Sequence, residues 1–193
     1  QSFVGHISGG LAITASAACA VFGSISGSTQ ATLVAIGNPM RRPLLDMGYK
    51  ESSIVALLIS SATLALLIPP SICMIMYAVV TGTSVGELFI AGIGPGLLLL
   101  FIFSVYNYIS AKRNKIPTTP KFTWGERWES FKKALLPLGF PVLVLGGIYS
   151  GFFSPTEAAA ASVLYAAILE FIIFKTITLK DIPRIALSTG LVT

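Results

Sequence analysis

Two adjacent prolines, Pro69 and Pro70, sit in the middle of a stretch with no charged residue between Glu51 and Glu87. Proline lacks a backbone N–H and its ring clashes with the preceding turn, so no regular helix runs through the pair. The residue before a proline is also pushed toward extended backbone. The stretch is long and apolar enough to cross a membrane. Within hydrocarbon, freed carbonyls and amides are tolerated only against protein or a polar cavity. Breaking a helix there is costly, and discontinuous membrane helices are where transporters place solute and ion sites. The prolines therefore frame a question of transport.

Composition agrees. Of 193 residues, 54% are hydrophobic and 11% charged, where soluble domains carry roughly a quarter charged. Mean hydropathy is +0.82. At about 20 residues per crossing, the chain has room for about six or seven segments of various depth, which predicts an all-α polytopic membrane protein. The net charge of +5 comes from residues clustered at predicted helix ends, so it does not indicate nucleic acid. Cys19 and Cys73 lie in apolar segments without a CxxC partner and read as small buried residues. The chain opens at Gln1 and closes in Gly190-Leu191-Val192-Thr193, which reads as a fragment of a longer protein.

Residues 1–40 carry no Asp, Glu, Lys or Arg. An apolar segment from about Gly10 to Phe22 meets Gly23-Ser24-Ile25-Ser26-Gly27-Ser28-Thr29 and resumes from Ala31 to Met40. The second arm, of about 10–12 residues or about 16 Å of helix, is too short to cross. A re-entrant hairpin over about 10–40 with its tip near Ser26–Thr29 is expected, followed by a loop over 41–50. The broken helix should occupy about 52–81, and a long helix about Val85–Ala111. Lys112–Lys133 is polar, with seven basic residues against Glu126 and Glu129. Further spans are expected over about Ala134–Tyr149 and from Pro155 to near Lys175. These give three sections: 1–81 with the hairpin and broken helix, 82–133 with the long helix and basic loop, and 134–193.

Loops 41–50 and 112–133 are basic, whereas the turns at 81–86 and 150–155 have no Lys or Arg. The positive-inside rule puts the basic loops in the cytoplasm. Trp124 and Trp128 read as interfacial anchors.

Ser28 or Thr29 can cap the second hairpin arm, where free amides attract anions. Hydroxyls and carbonyls of irregular backbone are hard oxygen ligands of the kind that hold Na⁺ in broken transporter helices. The tip also fits plain packing, because Gly23-xxx-Gly27 is a small-xxx-small pattern, as are Gly92-xxx-Gly96 and Gly147-xxx-Gly151. Ile68-Pro69-Pro70-Ser71 is either a kink filled by neighbours or, beside the hairpin tip, one wall of a cation site. Ser154-Pro155-Thr156-Glu157 is a capping box with proline at the first helical position; Glu157 as an ion ligand is the alternative. His6 has no carboxylate neighbour in sequence. There is no nucleophile–base set, metal-spaced cluster or phosphate-binding glycine loop, so the chain does not read as an enzyme.

Gly9-Gly10-Leu11-Ala12, Phe22-Gly23-Ser24-Ile25-Ser26-Gly27-Ser28, Ala31-Thr32, Ala35-Ile36-Gly37 and Gly48-Tyr49 occur in that order. Leu67-Ile68-Pro69-Pro70-Ser71-Ile72, Tyr77, Leu88-Phe89-Ile90-Ala91-Gly92, Pro95-Gly96 and Gly147-Ile148-Tyr149 follow, then Ser154-Pro155-Thr156-Glu157-Ala158-Ala159-Ala160. Together they resemble the large membrane subunit of tripartite ATP-independent periplasmic (TRAP) transporters, over about residues 5–165. Arg41-Arg42 and the loop at 112–130 depart from the pattern. The resemblance implies an elevator-type transporter of two inverted repeats, each with a re-entrant hairpin and a broken helix. This chain would hold the first repeat and the start of the second.

The resemblance further implies Na⁺-coupled import of an organic carboxylate, such as a C4-dicarboxylate or sialic acid, across the bacterial inner membrane. Expected partners are a small four-helix membrane subunit, a periplasmic substrate-binding protein and the lipid bilayer; no cofactor is implied beyond Na⁺ as coupling ion. The Na⁺ site would draw on Ser26, Gly27, Ser28, Thr29, Pro69 and Ser71, and the substrate site on Ser24, Ser28, Thr32 and Pro70. Two alternatives stand beside it: a stand-alone Na⁺/dicarboxylate or citrate carrier without a binding protein, and a non-transporting scaffold or channel subunit.

Overall fold

The computed structural model describes residues 5–118, 124–175, 178, 181–183 and 187. The regular structure among them is helical. The chain divides into two compact units, one ending at Leu135 and one beginning at Leu136.

In the first unit, helix α1 (Gly10–Ser26) ends at Gly27, which adopts a left-handed conformation (φ 61°) and returns its N–H to the Gly23 carbonyl at 2.8 Å. Glycine takes that conformation at little cost. Ser28 follows in extended backbone, and its hydroxyl accepts from the Ala31 amide at 3.4 Å to open α2 (Thr29–Asp46). A helical hairpin with its turn at Gly27–Ser28 is present, but the short second arm that suggested re-entry is not. Its second arm is longer than expected: helix continues through Arg41, Arg42 and Pro43 to Asp46, so the predicted loop at 41–50 shrinks to four residues. The arms, 17 and 18 residues long, match in length at about 26 Å. Leu44 explains the extension, because it is fully buried with Leu11, Ala12, Ala15, Ile54 and Leu58. Arg41 also pairs with Glu51 across the turn, its Nε donating at 2.7 Å.

Helix α3 (Glu51–Ala62) tightens into a 3₁₀ turn (Thr63–Leu66), breaks, and restarts as α4 (Ile72–Thr81). Gly82 (φ 70°) stops α4, and the Ser84 hydroxyl caps α5 (Val85–Arg113). The outer face of α5 is apolar and open: Ile90, Leu98 and Phe101 are 62%, 59% and 66% exposed. A face of that size needs lipid or protein against it. Val85–Arg113 and Pro155–Phe174 are each long and apolar enough to cross a membrane.

Helix α6 (Trp124–Tyr149) starts ten residues before the predicted span, so the expected loop at 112–133 is helical from Trp124 onward. Side chains one turn apart support this early start: Trp128 stacks on Phe131, and the Lys132 ammonium lies 5.5 Å from the Trp128 ring centre.

In the second unit, the capping box is formed as expected. Ser154 accepts from the Glu157 amide at 3.3 Å, and the Glu157 carboxylate accepts from the Ser154 amide at 2.8 Å. It opens α7 (Pro155–Ile168), which widens into a π turn (Leu169–Phe174) before Lys175. The Tyr165 hydroxyl donates to the Leu136 carbonyl at 2.8 Å, passing Gly139, where a Cβ would collide with it.

Candidate functional site

The break in the α3–α4 helix follows from donor loss. In an α-helix, residues 69 and 70 would donate to the carbonyls of Ala65 and Leu66; both are proline and have nothing to donate. The chain tightens into the 3₁₀ turn just before, where the Leu67 and Ile68 amides both turn to the Leu64 carbonyl at 3.1 and 2.9 Å. The Pro69–Pro70 peptide is cis. Ser71 is extended, is the N-cap of α4, and makes no side-chain capping bond. Its side chain is fully buried, and its Oγ is buried without a hydrogen-bond partner. A buried hydroxyl left unpaired costs about 1–3 kcal/mol.

The hairpin tip lies on this break. A Cβ built on Gly27 would sit 3.2 Å from the Pro70 carbonyl oxygen and 3.2 Å from the Ile72 amide nitrogen. One turn earlier in α1, a Cβ on Gly23 would come 2.7 Å from the Cα of Ala65 in the 3₁₀ turn. From the other side, α5 presents Gly92 to the Leu67 carbonyl, at 2.6 Å from a built Cβ, and Gly96 to the Ile68 side chain. Four glycines from two helices thus bring backbone against the irregular segment.

The sequence-predicted residues separate into two groups. Gly27 meets the Pro70 carbonyl and Ile72 at the tip–break contact, and Pro69 and Ser71 are fully buried beside Pro70 in the chain. Ser26, Ser28 and Thr32 instead bond to one another within the hairpin. The fully buried Thr32 hydroxyl donates to the Ser28 carbonyl at 2.8 Å and shares a 3.1 Å contact with Ser26 Oγ. Ser24 turns its hydroxyl back to the Val21 carbonyl at 2.7 Å. Thr29 begins α2. The oxygen shown at the contact is therefore the Pro70 carbonyl, with the buried Ser71 Oγ one residue on, while the hairpin hydroxyls shape the tip.

Sequence reasoning missed a second polar element. Ser16 of α1 and Ser61 of α3 share a hydrogen bond of 2.7 Å, and Asn107 of α5 donates to Ser16 Oγ at 3.1 Å. All three are buried. A polar position every helix in otherwise apolar segments was the available signal. No group of three or more His, Cys, Asp or Glu able to hold a metal occurs among the described residues.

The sequence profile of the tripartite ATP-independent periplasmic transporter DctM component matches residues 1–193. An ectoine/5-hydroxyectoine TRAP transporter large permease of Ruegeria pomeroyi is 58% identical over 193 residues, covering 100% of this chain and 45% of that protein. An ectoine TRAP transporter large permease of Halomonas elongata is 57% identical over the same coverage. A C4-dicarboxylate TRAP transporter large permease of Pseudomonas aeruginosa is 44% identical over 190 residues, 98% of this chain and 44% of the relative. The chain thus spans about half the length of the curated relatives it matches.

Proposed function

This chain belongs to the DctM family of TRAP transporter large permeases, a family of transporters and not of enzymes, and from that premise we propose that it forms half of a Na⁺-coupled carrier for an ectoine-class solute. The Na⁺ lies where the Gly27 tip meets the Pro69–Pro70 break, held by carbonyls of the irregular backbone and by Ser71 Oγ. The observation that supports this most is the fully buried Ser71 hydroxyl with no partner, beside a proline pair that frees carbonyls at the same depth. Hard oxygen ligands from carbonyls and hydroxyls suit an alkali cation.

Ectoine permeases at 57–58% identity favour that solute over a C4-dicarboxylate or sialic acid. Ectoine carries a carboxylate, so the groups available here (amides, hydroxyls and a bound cation) can meet it without an arginine. A periplasmic binding protein delivers the solute, and a small membrane subunit accompanies the permease in the bacterial inner membrane. The basic residues Arg41, Arg42 and Lys50, and Lys112, Arg113 and Lys115, face the cytoplasm. The hairpin and broken helix move together as part of an elevator, with an inverted repeat completing the site.

Uptake by the whole permease, reconstituted with its small subunit and binding protein, tests this. Ectoine should accumulate only with an inward Na⁺ gradient. Uptake unchanged without Na⁺ would reject the coupling, uptake of succinate in preference to ectoine would reject the solute, and uptake without the binding protein would favour a stand-alone carrier.

A further inference from the structure

We propose that the cleft between α3 and α5 binds an anionic phospholipid. The cleft has a volume of about 510 Å³ and runs from Tyr49 and Ser52 at the start of α3 beside Ser110 near the end of α5. Cavities of roughly 300–1,000 Å³ hold small ligands. One wall is a stripe at helical spacing, Ser52, Ser53, Ser60 and Ser61, with Ala56 and Leu57 between. The other combines Ile102, Phe103 and Tyr106 with Asn107 and Ser110. Small hydroxyl side chains keep the cleft open and offer hydrogen bonds, while the aliphatic and aromatic residues offer an acyl chain a surface.

Three further features point to a phosphate headgroup. Tyr49 lines the cleft, and its hydroxyl is buried without a hydrogen-bond partner, so a ligand oxygen there would satisfy it. Basic residues adjoin the lining: Lys50, the N-cap of α3, follows Tyr49 in the chain, and Arg113 follows Ser110 by three residues on α5, which places it on the same helix face. The nearby Glu51 carboxylate is already engaged by Arg41. Finally, the first backbone bond of α3 is donated by Ser53 to the Lys50 carbonyl at 2.9 Å, so the Glu51 and Ser52 amides precede it in the anion-attracting first turn. Basic pockets between membrane helices on the cytoplasmic side suit anionic lipid headgroups. This site is separate from the tip–break contact and does not depend on its ion.

The whole permease, purified and examined by native mass spectrometry, should retain dioleoyl phosphatidylglycerol and not dioleoyl phosphatidylcholine. Lys50→Gln with Arg113→Gln should weaken phosphatidylglycerol retention by about thirtyfold, as two surface cations near an anionic headgroup imply. Ala56→Trp, which fills the cleft, should abolish retention; Lys115→Gln is the charge control and should not. In the unmodified protein, a photoactivatable phosphatidylglycerol should label peptides covering 49–61 and 102–113, a readout independent of how the variants fold. Equal retention of both lipids, displacement by millimolar inorganic phosphate, or labelling confined to other peptides would overturn the proposal, the last including the case in which another part of the permease fills the cleft.

Discussion

Gly27 and the Pro70 carbonyl are in near backbone contact: a methyl group on Gly27 would lie 3.2 Å from that oxygen. Gly27 also has φ 61°, so two separate penalties meet at one position. Gly27→Ala should lower stability by about 1–2 kcal/mol from the left-handed backbone alone, with the contact added. Gly48 (φ 88°) has open space around it, and Gly48→Ala should show the backbone penalty only. Gly23→Ala, in regular helix, meets the Ala65 Cα and should cost about 1–3 kcal/mol through overpacking. Thermal melts of the three variants in detergent separate the terms; equal shifts at 27 and 48 would mean that the tip does not press on the break.

Ser71→Ala should do opposite things to stability and to ion binding. Without Na⁺, removing an unpaired buried hydroxyl should leave the melting temperature unchanged or raise it. With Na⁺, the variant should need about tenfold more ion for half-maximal uptake, as loss of about 1.4 kcal/mol of binding implies. Na⁺ titrations of melting temperature and of uptake check both halves. An unaltered Na⁺ requirement would remove Ser71 from the site.

The Ser16–Ser61–Asn107 bonds tie together α1, α3 and α5. Asn107→Ala should cost about 0.5–1.5 kcal/mol by removing the amide that donates to Ser16 Oγ. In a double-mutant cycle with Ser16→Ala, the coupling should fall within about 0.5–3 kcal/mol. A coupling of zero in chemical denaturation would mean that the three bond to water or to other groups instead.

Asp181 should titrate below the ordinary aspartate range, because the Thr178 hydroxyl and amide donate to its carboxylate at 2.6 and 2.9 Å. A depressed folded pKa stabilises the turn at pH above the unfolded aspartate value. That contribution is lost as pH falls through the lower folded value. A ¹³C-carboxyl NMR titration measures the midpoint, and Thr178→Val should move it back up.

How far the sequence could be read depends on where each element gets its stability. Pro69–Pro70, Gly27, Ser28, Gly82 and the Ser154–Glu157 box act through the backbone within a few residues, so the break, the tip and the helix starts were legible. Helix α2 was misjudged because its end is set by Leu44, whose burial against Ile54 and Leu58 is a long-range contact. The early start of α6 was missed because charge was weighed over the Trp128–Phe131 and Trp128–Lys132 pairs. At the site, the pairing of tip and break was anticipated, yet Gly23-xxx-Gly27 was left between packing and function. It packs, as Gly92-xxx-Gly96 does, and the backbone both pack on is the broken segment. Which hydroxyls faced inward was not legible: Ser24 and Thr32 bond locally, and only coordinates distinguish them from Ser71.

The Gly23–Ala65 contact has one more consequence. Sliding α1 by a single residue would bring the side chain of Phe22 or Ser24 onto a backbone that already leaves no room for a methyl group. The hairpin can therefore dock on the broken helix at one step only, like a key with a single notch. Every oxygen at the tip then inherits its height from that notch.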